Sequence, residues 1–156
     1  MALTPKKSIQ AQVSPELRED LAYQDRILQG VSRTFALTIP QLPSDLQVVV
    51  GNAYLLCRIA DTIEDSASLD VDAKKRFSEQ FIRVVEGQES PESFAEKLAP
   101  LLDDSSIEAE KELVHNTPRV IRLTHSFSAE DRQALSRCVR IMATGMEAFQ
   151  EGRFQH

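Results

Sequence analysis

The sequence is short of most parts from which small-protein sites are built. Its two cysteines, Cys57 and Cys138, are far apart in the chain and form no ligand cluster. Cys57 sits in an apolar stretch, where a buried reduced thiol is the ordinary reading, and this suits a reducing, cytoplasmic setting better than a disulfide scaffold. There is no zinc-ligand spacing, no glycine-rich phosphate loop and no internal repeat. His115, His125 and His156 are scattered rather than grouped, which fits surface or capping roles. No apolar run approaches the ~18 residues of a membrane-spanning helix. The opening MALTPKKSIQAQVS carries two lysines with no apolar stretch behind them, so it makes a poor secretory signal, and residues 1–13 read as a flexible leader. Basic charge is also in deficit. With 18 Lys and Arg against 24 Asp and Glu, the formal net charge of -6 argues against a nucleic-acid partner. It leaves room for an anionic small substrate, because a metal ion can reverse the local sign.

Alternation with period two is missing as well, and the pattern that replaces it is helical throughout. Ser14-Pro15-Glu16 opens a first helix with a serine cap and a proline at the first position, running to about Gly30. Pro40 and Pro43 make SRTFALTIPQLP a turn. A second helix begins at Ser44, with Ser44-Asp45 placed to cap it. Phe77, Phe81, Val84 and Val85 define an amphipathic helix that stops at Gly87. A shorter helix is predicted from Pro91 to Leu102, and another from Ser106 to Leu123, bent or interrupted near Pro118. The last starts at Ser128, with Leu135, Val139, Met142, Met146 and Phe149 in one stripe. At 156 residues the chain fits one all-α domain.

The second helix carries the chemistry. In YLLCRIADTIED, Tyr54, Arg58, Asp61 and Asp65 recur at steps of four, three and four, so they share one face over about 16 Å. Glu64 adjoins them. Asp61, Glu64 and Asp65 are candidate magnesium ligands, since side chains one turn apart can converge on a hard cation. Arg58 can offer donors to phosphate oxygens or hold the carboxylates in place. It can also simply pair with Asp61 or Asp65 on a solvated face. Against the solvated reading stand the repulsion between like charges at this spacing, their place near a helix C-terminus and the apolar residues around them. Upstream, Ser32, Arg33 and Thr34 are possible phosphate donors, though Ser and Thr beside a helix end are more often caps.

Taken together, Ser32-Arg33-Thr34-Phe35 and the run from Tyr54 to Asp65, with its DTIED motif, resemble the squalene/phytoene synthase family. The segment Gly145-Met146-Glu147-Ala148-Phe149 resembles the stretch that precedes that family's central helices. The resemblance implies the N-terminal part of a class I isoprenoid synthase helical bundle, working on prenyl diphosphates with Mg2+. It implies that Asp61 and Asp65, assisted by Glu64, bind metal and diphosphate. Ser32, Arg33 and Arg58 would organise the diphosphate, while Tyr54 and Phe35 line the cavity. Arg58, Asp61, Asp65 and Tyr54 are then the catalytic set.

Within the family, DTIED and the NTPRVIRL segment at 116–123 lean towards squalene synthases, which join two farnesyl diphosphates head-to-head and reduce the product with NADPH. Phytoene and dehydrosqualene synthases use no reductant. A second aspartate-rich motif is expected on a later helix. Asp103-Asp104, Glu108/Glu112 and Glu147/Glu151 lack its surroundings and read as solvated charge. Residues 14–156 are therefore expected to be the N-terminal half, inactive alone and completed by a C-terminal half in cis or by a complementary chain. A noncatalytic prenyl-diphosphate-binding module is the other expectation. An apolar product would favour proximity to a membrane.

Overall fold

The computed structural model describes residues 14–103 and 106–153, with side chains described through Thr144. Among the described residues the chain is all-α, consistent with the N-terminal domain of a class I isoprenoid synthase. Helix α1 (Pro15–Val31) starts where Ser14 Oγ accepts the Leu17 N–H at 3.2 Å, with Pro15 at the first position. It buries Tyr23, Ile27, Leu28 and Val31 on one stripe and stops as Ser32 turns extended. The next stretch departs from the expected turn. It forms a helix of its own, α2 (Arg33–Thr38), followed by a 3-10 turn at Ile39–Gln41. Pro40 falls in the first turn of that segment, where its missing N–H costs little.

Helix α3 (Ser44–Asp65) is the spine. Pro43 occupies the cap position and no side chain caps the helix, so the cap expected from Ser44-Asp45 is not formed. Leu55, Leu56, Ile59 and Ile63 are completely buried. Helices α4 (Val71–Val85), α5 (Pro91–Leu98), α6 (Glu108–His115), α7 (Thr117–Ser126) and α8 (Ala129–Arg153) complete the bundle. Of these, α3 packs on α1, α4, α6, α7 and α8. By length and composition α3 is also long and apolar enough to cross a bilayer, although no continuous apolar run marks it in the sequence. Here its most apolar face is filled by protein.

Helix ends follow local chemistry. Asp70 caps α4 by accepting the Ala73 N–H at 2.7 Å. At the other end, Gly87 takes φ +85 and the Gln88 N–H reaches the Arg83 carbonyl at 2.8 Å. That left-handed position is why the helix stops at a glycine. His125 closes the same end from α7, its Nε2 donating to the Val85 carbonyl at 3.0 Å. The capping role expected of this histidine is thus met. Phe94 of α5 packs on Phe81 of α4 with ring centroids 5.3 Å apart. The break expected near Pro118 falls at Asn116, where α6 ends and α7 begins. Ser128 Oγ accepts the Asp131 N–H, and Leu135, Val139 and Ala143 form the buried stripe of α8. The side chains of Met146 and Phe149 lie outside the described residues.

Two buried polar links tie distant helices. Asn52 of α3 donates to the Val120 carbonyl at 3.1 Å and accepts from Thr124 Oγ1 at 2.7 Å. Asp20 of α1 is fully buried, its Oδ2 taking the Arg122 Nε–H at 2.8 Å and its Oδ1 the Arg122 Nη2 at 3.2 Å. Arg119 adds a longer contact at 3.5 Å.

Candidate functional site

The α2 helix positions the first cluster. Ser32 is its cap, with Oγ accepting the Phe35 N–H at 3.1 Å, and Arg33 is exposed in its first turn. Capping therefore accounts for one of the two roles open to Ser32. Phe35 then stacks on Tyr54 of α3, ring centroids 4.3 Å apart and planes 23° from parallel. This offset stack joins the two motifs. It places SRTF beside the helix that carries the acids.

Along α3, Tyr54, Arg58, Asp61 and Glu64 are half-buried and Asp65 is exposed. Thr62 Oγ1 donates to the Arg58 carbonyl at 2.8 Å, satisfying its own hydroxyl on the buried side. Arg58 makes no hydrogen bond to Asp61 or Asp65. Its Nη2 instead meets Glu110 Oε2 of α6 at 2.5 Å, and its Nε is buried without a partner. The pair is well shielded, with side-chain exposures of 30% and 15%.

Charge at the acidic end is unbalanced. Asp61 holds its proton more tightly than an ordinary aspartate, first because of burial and then because of repulsion from Asp65. Glu110 and Glu64 push in the same direction, and Arg58 alone opposes them. Four carboxylates thus share one guanidinium, and Glu110 already holds it. A cation bound at Asp61 would relieve this excess, which is the fit expected of magnesium with its preference for oxygen donors. Among the described residues no group of three or more His, Cys, Asp and Glu side chains is arranged to hold a metal by itself. Asp61, Glu64 and Asp65, expected together as metal ligands, are thus not gathered into such a group.

The structure adds two residues that the sequence pattern did not single out. Glu110 lies between Glu108 and Glu112 and looks no different from them in the sequence. Yet Glu108 is 92% exposed beside Lys111, and Glu112 pairs with Arg26 at the surface at 2.8 Å. Only burial against Arg58 separates Glu110 from its neighbours. The second is Cys138 of α8, exposed and adjacent to the Cys57 thiol despite its distance in sequence. Burial pushes Cys57 up to about 12, and the neighbouring Cys138 adds to the effect. Of the other acidic pairs, Asp104 and the side chains of Glu147 and Glu151 lie outside the described residues.

Comparison with known proteins gives matches at the level of a family. The family model for squalene/phytoene synthase matches residues 28–155. A squalene synthase of Solanum lycopersicum is 44% identical over 63 residues, covering 40% of this chain and 15% of that protein. A squalene synthase of Schizosaccharomyces pombe is 34% identical over 61 residues, 39% of this chain and 13% of the relative. A protein of Arabidopsis thaliana named inactive squalene synthase 2 is 41% identical over 64 residues, 41% of this chain and 16% of the relative. These alignments span less than a fifth of each relative's length. No solved structure matches. The family match takes in both SRTF and the acidic helix, whose motifs the Phe35–Tyr54 stack brings together, and the chain belongs to the squalene/phytoene synthase family.

Proposed function

We propose that the protein carrying this chain is a magnesium-dependent prenyltransferase that joins two farnesyl diphosphates head-to-head, forming presqualene diphosphate and then squalene with NADPH. One observation supports this reading most directly: the acidic end of α3 holds more carboxylate charge than its single arginine can balance. Such a surface suits divalent cations, and through them a diphosphate. Asp61 and Asp65, with Glu64 in support, are the ligands in this proposal. Bound magnesium would neutralise the diphosphate as it leaves. Arg58, Arg33 and the Ser32 hydroxyl hold the phosphate oxygens by hydrogen bonding. Tyr54 and Phe35, stacked as one aromatic wall, line the path of the prenyl chain and keep water from the developing allylic cation.

Further carboxylates are needed to hold the diphosphates fully, supplied by additional chain in cis or by a complementary subunit. The proposed setting is the cytoplasm, close to a membrane that can accept an apolar product. One similarity supports a second reading, a noncatalytic diphosphate-binding protein: a relative named inactive squalene synthase 2 is 41% identical to this chain over 64 residues. The test is incubation of the protein expressed from its natural gene with farnesyl diphosphate, and separately with geranylgeranyl diphosphate, in the presence of magnesium, with and without NADPH. Squalene formed only with NADPH supports the proposal. Dehydrosqualene that persists with NADPH, or phytoene from geranylgeranyl diphosphate, replaces it with the reductant-free reaction. Tight magnesium-dependent substrate binding with no product identifies the binding protein.

A further inference from the structure

We propose that Glu110 is a positioning residue that holds Arg58 away from Asp61 and Asp65, keeping those carboxylates free for a cation. The inference rests on the magnesium-diphosphate role proposed for them. Arg58 stands three residues before Asp61 on α3, a spacing at which opposite charges on a helix pair readily. Left alone, the guanidinium would settle on the adjacent carboxylates and take up the oxygens that a metal needs. In the structure it does not. Its Nη2 is bound at 2.5 Å to Glu110, which reaches across from α6, 52 residues away in sequence. The Arg58 Nε is buried with no hydrogen-bond partner. A buried unsatisfied donor is costly, so the guanidinium's own bonding on α3 does not explain where it sits. The bond to Glu110 does.

The two neighbours of Glu110 in the acidic series serve as an internal contrast. Glu108 and Glu112 are spent on surface partners, whereas Glu110 is 15% exposed and committed to this one arginine. Its negative charge also lies near enough to Asp61 to repel it. Both effects act in one direction: they withdraw positive charge from the Asp61 carboxylate and leave it to be met by a cation. With a diphosphate bound, the same link would keep Arg58 in place about one turn before Asp61 on α3.

The test is a magnesium titration of the natural protein, alone and with inorganic diphosphate, followed at the Asp61 side-chain carboxyl by NMR. It is run on wild type, Glu110→Gln, Arg58→Gln and the double variant. The expected result is that Glu110→Gln raises the half-saturating magnesium concentration about tenfold. In the Arg58→Gln background the same change should shift the midpoint much less, because only the loss of Glu110's own charge near Asp61 remains. A purely structural Glu110 would alter the unfolding midpoint without this dependence on Arg58. Should Glu110→Gln unfold, Glu110→Asp is read instead, with the same direction and a smaller shift. Equal magnesium affinity in wild type and the Glu110 variant, or an equal loss in both backgrounds, overturns the inference while leaving the proposed function standing. A wild type in which magnesium does not reach Asp61, even with diphosphate present, overturns both.

Discussion

The bundle contains two charged clusters built from the same parts, and they are finished to different degrees. At Asp20, a fully buried carboxylate faces two arginines, and both its oxygens are bonded. At Asp61, one half-shielded arginine faces four carboxylates, bonds to the most distant of them in sequence and leaves its own Nε unmatched. A satisfied buried pair locks helices in place. An unsatisfied cluster is kept at a cost to stability, and such sites are where binding and catalysis concentrate. The contrast teaches that charge on these helices must be judged by what it leaves unpaired, since the count of acidic residues alone would rank the two clusters the wrong way.

The largest effect should come from breaking the finished cluster. Replacing Asp20 with Asn removes the counter-charge that ties α1 to α7 and is expected to cost about 3 kcal/mol of unfolding free energy in denaturant titration. The estimate sits at the low end for a buried pair because Arg119 and Arg122 still reach solvent, with side-chain exposures of 37% and 36%. Next comes the neutral counterpart. Asn52→Ala removes the Asn52 donor from the Val120 carbonyl, leaves Thr124 Oγ1 bonded to that carbonyl alone and empties a buried position between α3 and α7, at an expected cost of about 2 kcal/mol in the same assay.

The unfinished cluster should respond with the opposite sign. Because the folded-state pKa of Asp61 is raised, its protonated form favours the fold below the unfolded value, and that contribution is lost as pH rises through the folded value. Asp61→Asn removes the loss. At neutral pH the variant is expected to be as stable as wild type or more stable, by about 1 kcal/mol or less once solvent screening of this half-exposed group is allowed for. The difference should shrink as pH falls below the ordinary aspartate range, which thermal unfolding across a pH series will show. The smallest effect concerns the thiols beside the cluster. A maleimide at neutral pH should label exposed Cys138 well before Cys57, which is half-buried and pushed up to about 12, as peptide mapping of the labelled protein would reveal.

Local signals made most of the fold legible. Ser14 and Ser128 announce their helices because a cap is a contact over three residues, and Gly87 ends α4 because only a glycine enters the left-handed region easily. The same local reasoning missed α2. Pro40 and Pro43 suggested a turn, but both lie beyond Thr38 and permit a short helix before them. Residues of the acidic face were visible because Tyr54, Arg58, Asp61 and Asp65 share one helix and a fixed period. Their partners were not. Glu110 reaches Arg58 across 52 residues, and Arg122 reaches Asp20 across 102. No periodicity within a helix carries that information; it is created when α6 and α7 pack against α3 and α1. Family resemblance told which acids to watch, whereas the packed structure told how their charge is balanced.

The most direct measurement compares Asp61→Asn with Asp20→Asn for both stability and binding, using calorimetric titration of inorganic diphosphate with and without magnesium in the protein from its natural gene. The account predicts that Asp61→Asn abolishes magnesium-dependent binding while unfolding at least as reluctantly as wild type, and that Asp20→Asn lowers stability but, where still folded, keeps its affinity. An Asp61→Asn protein that binds as wild type does, or that loses stability as Asp20→Asn does, would contradict it.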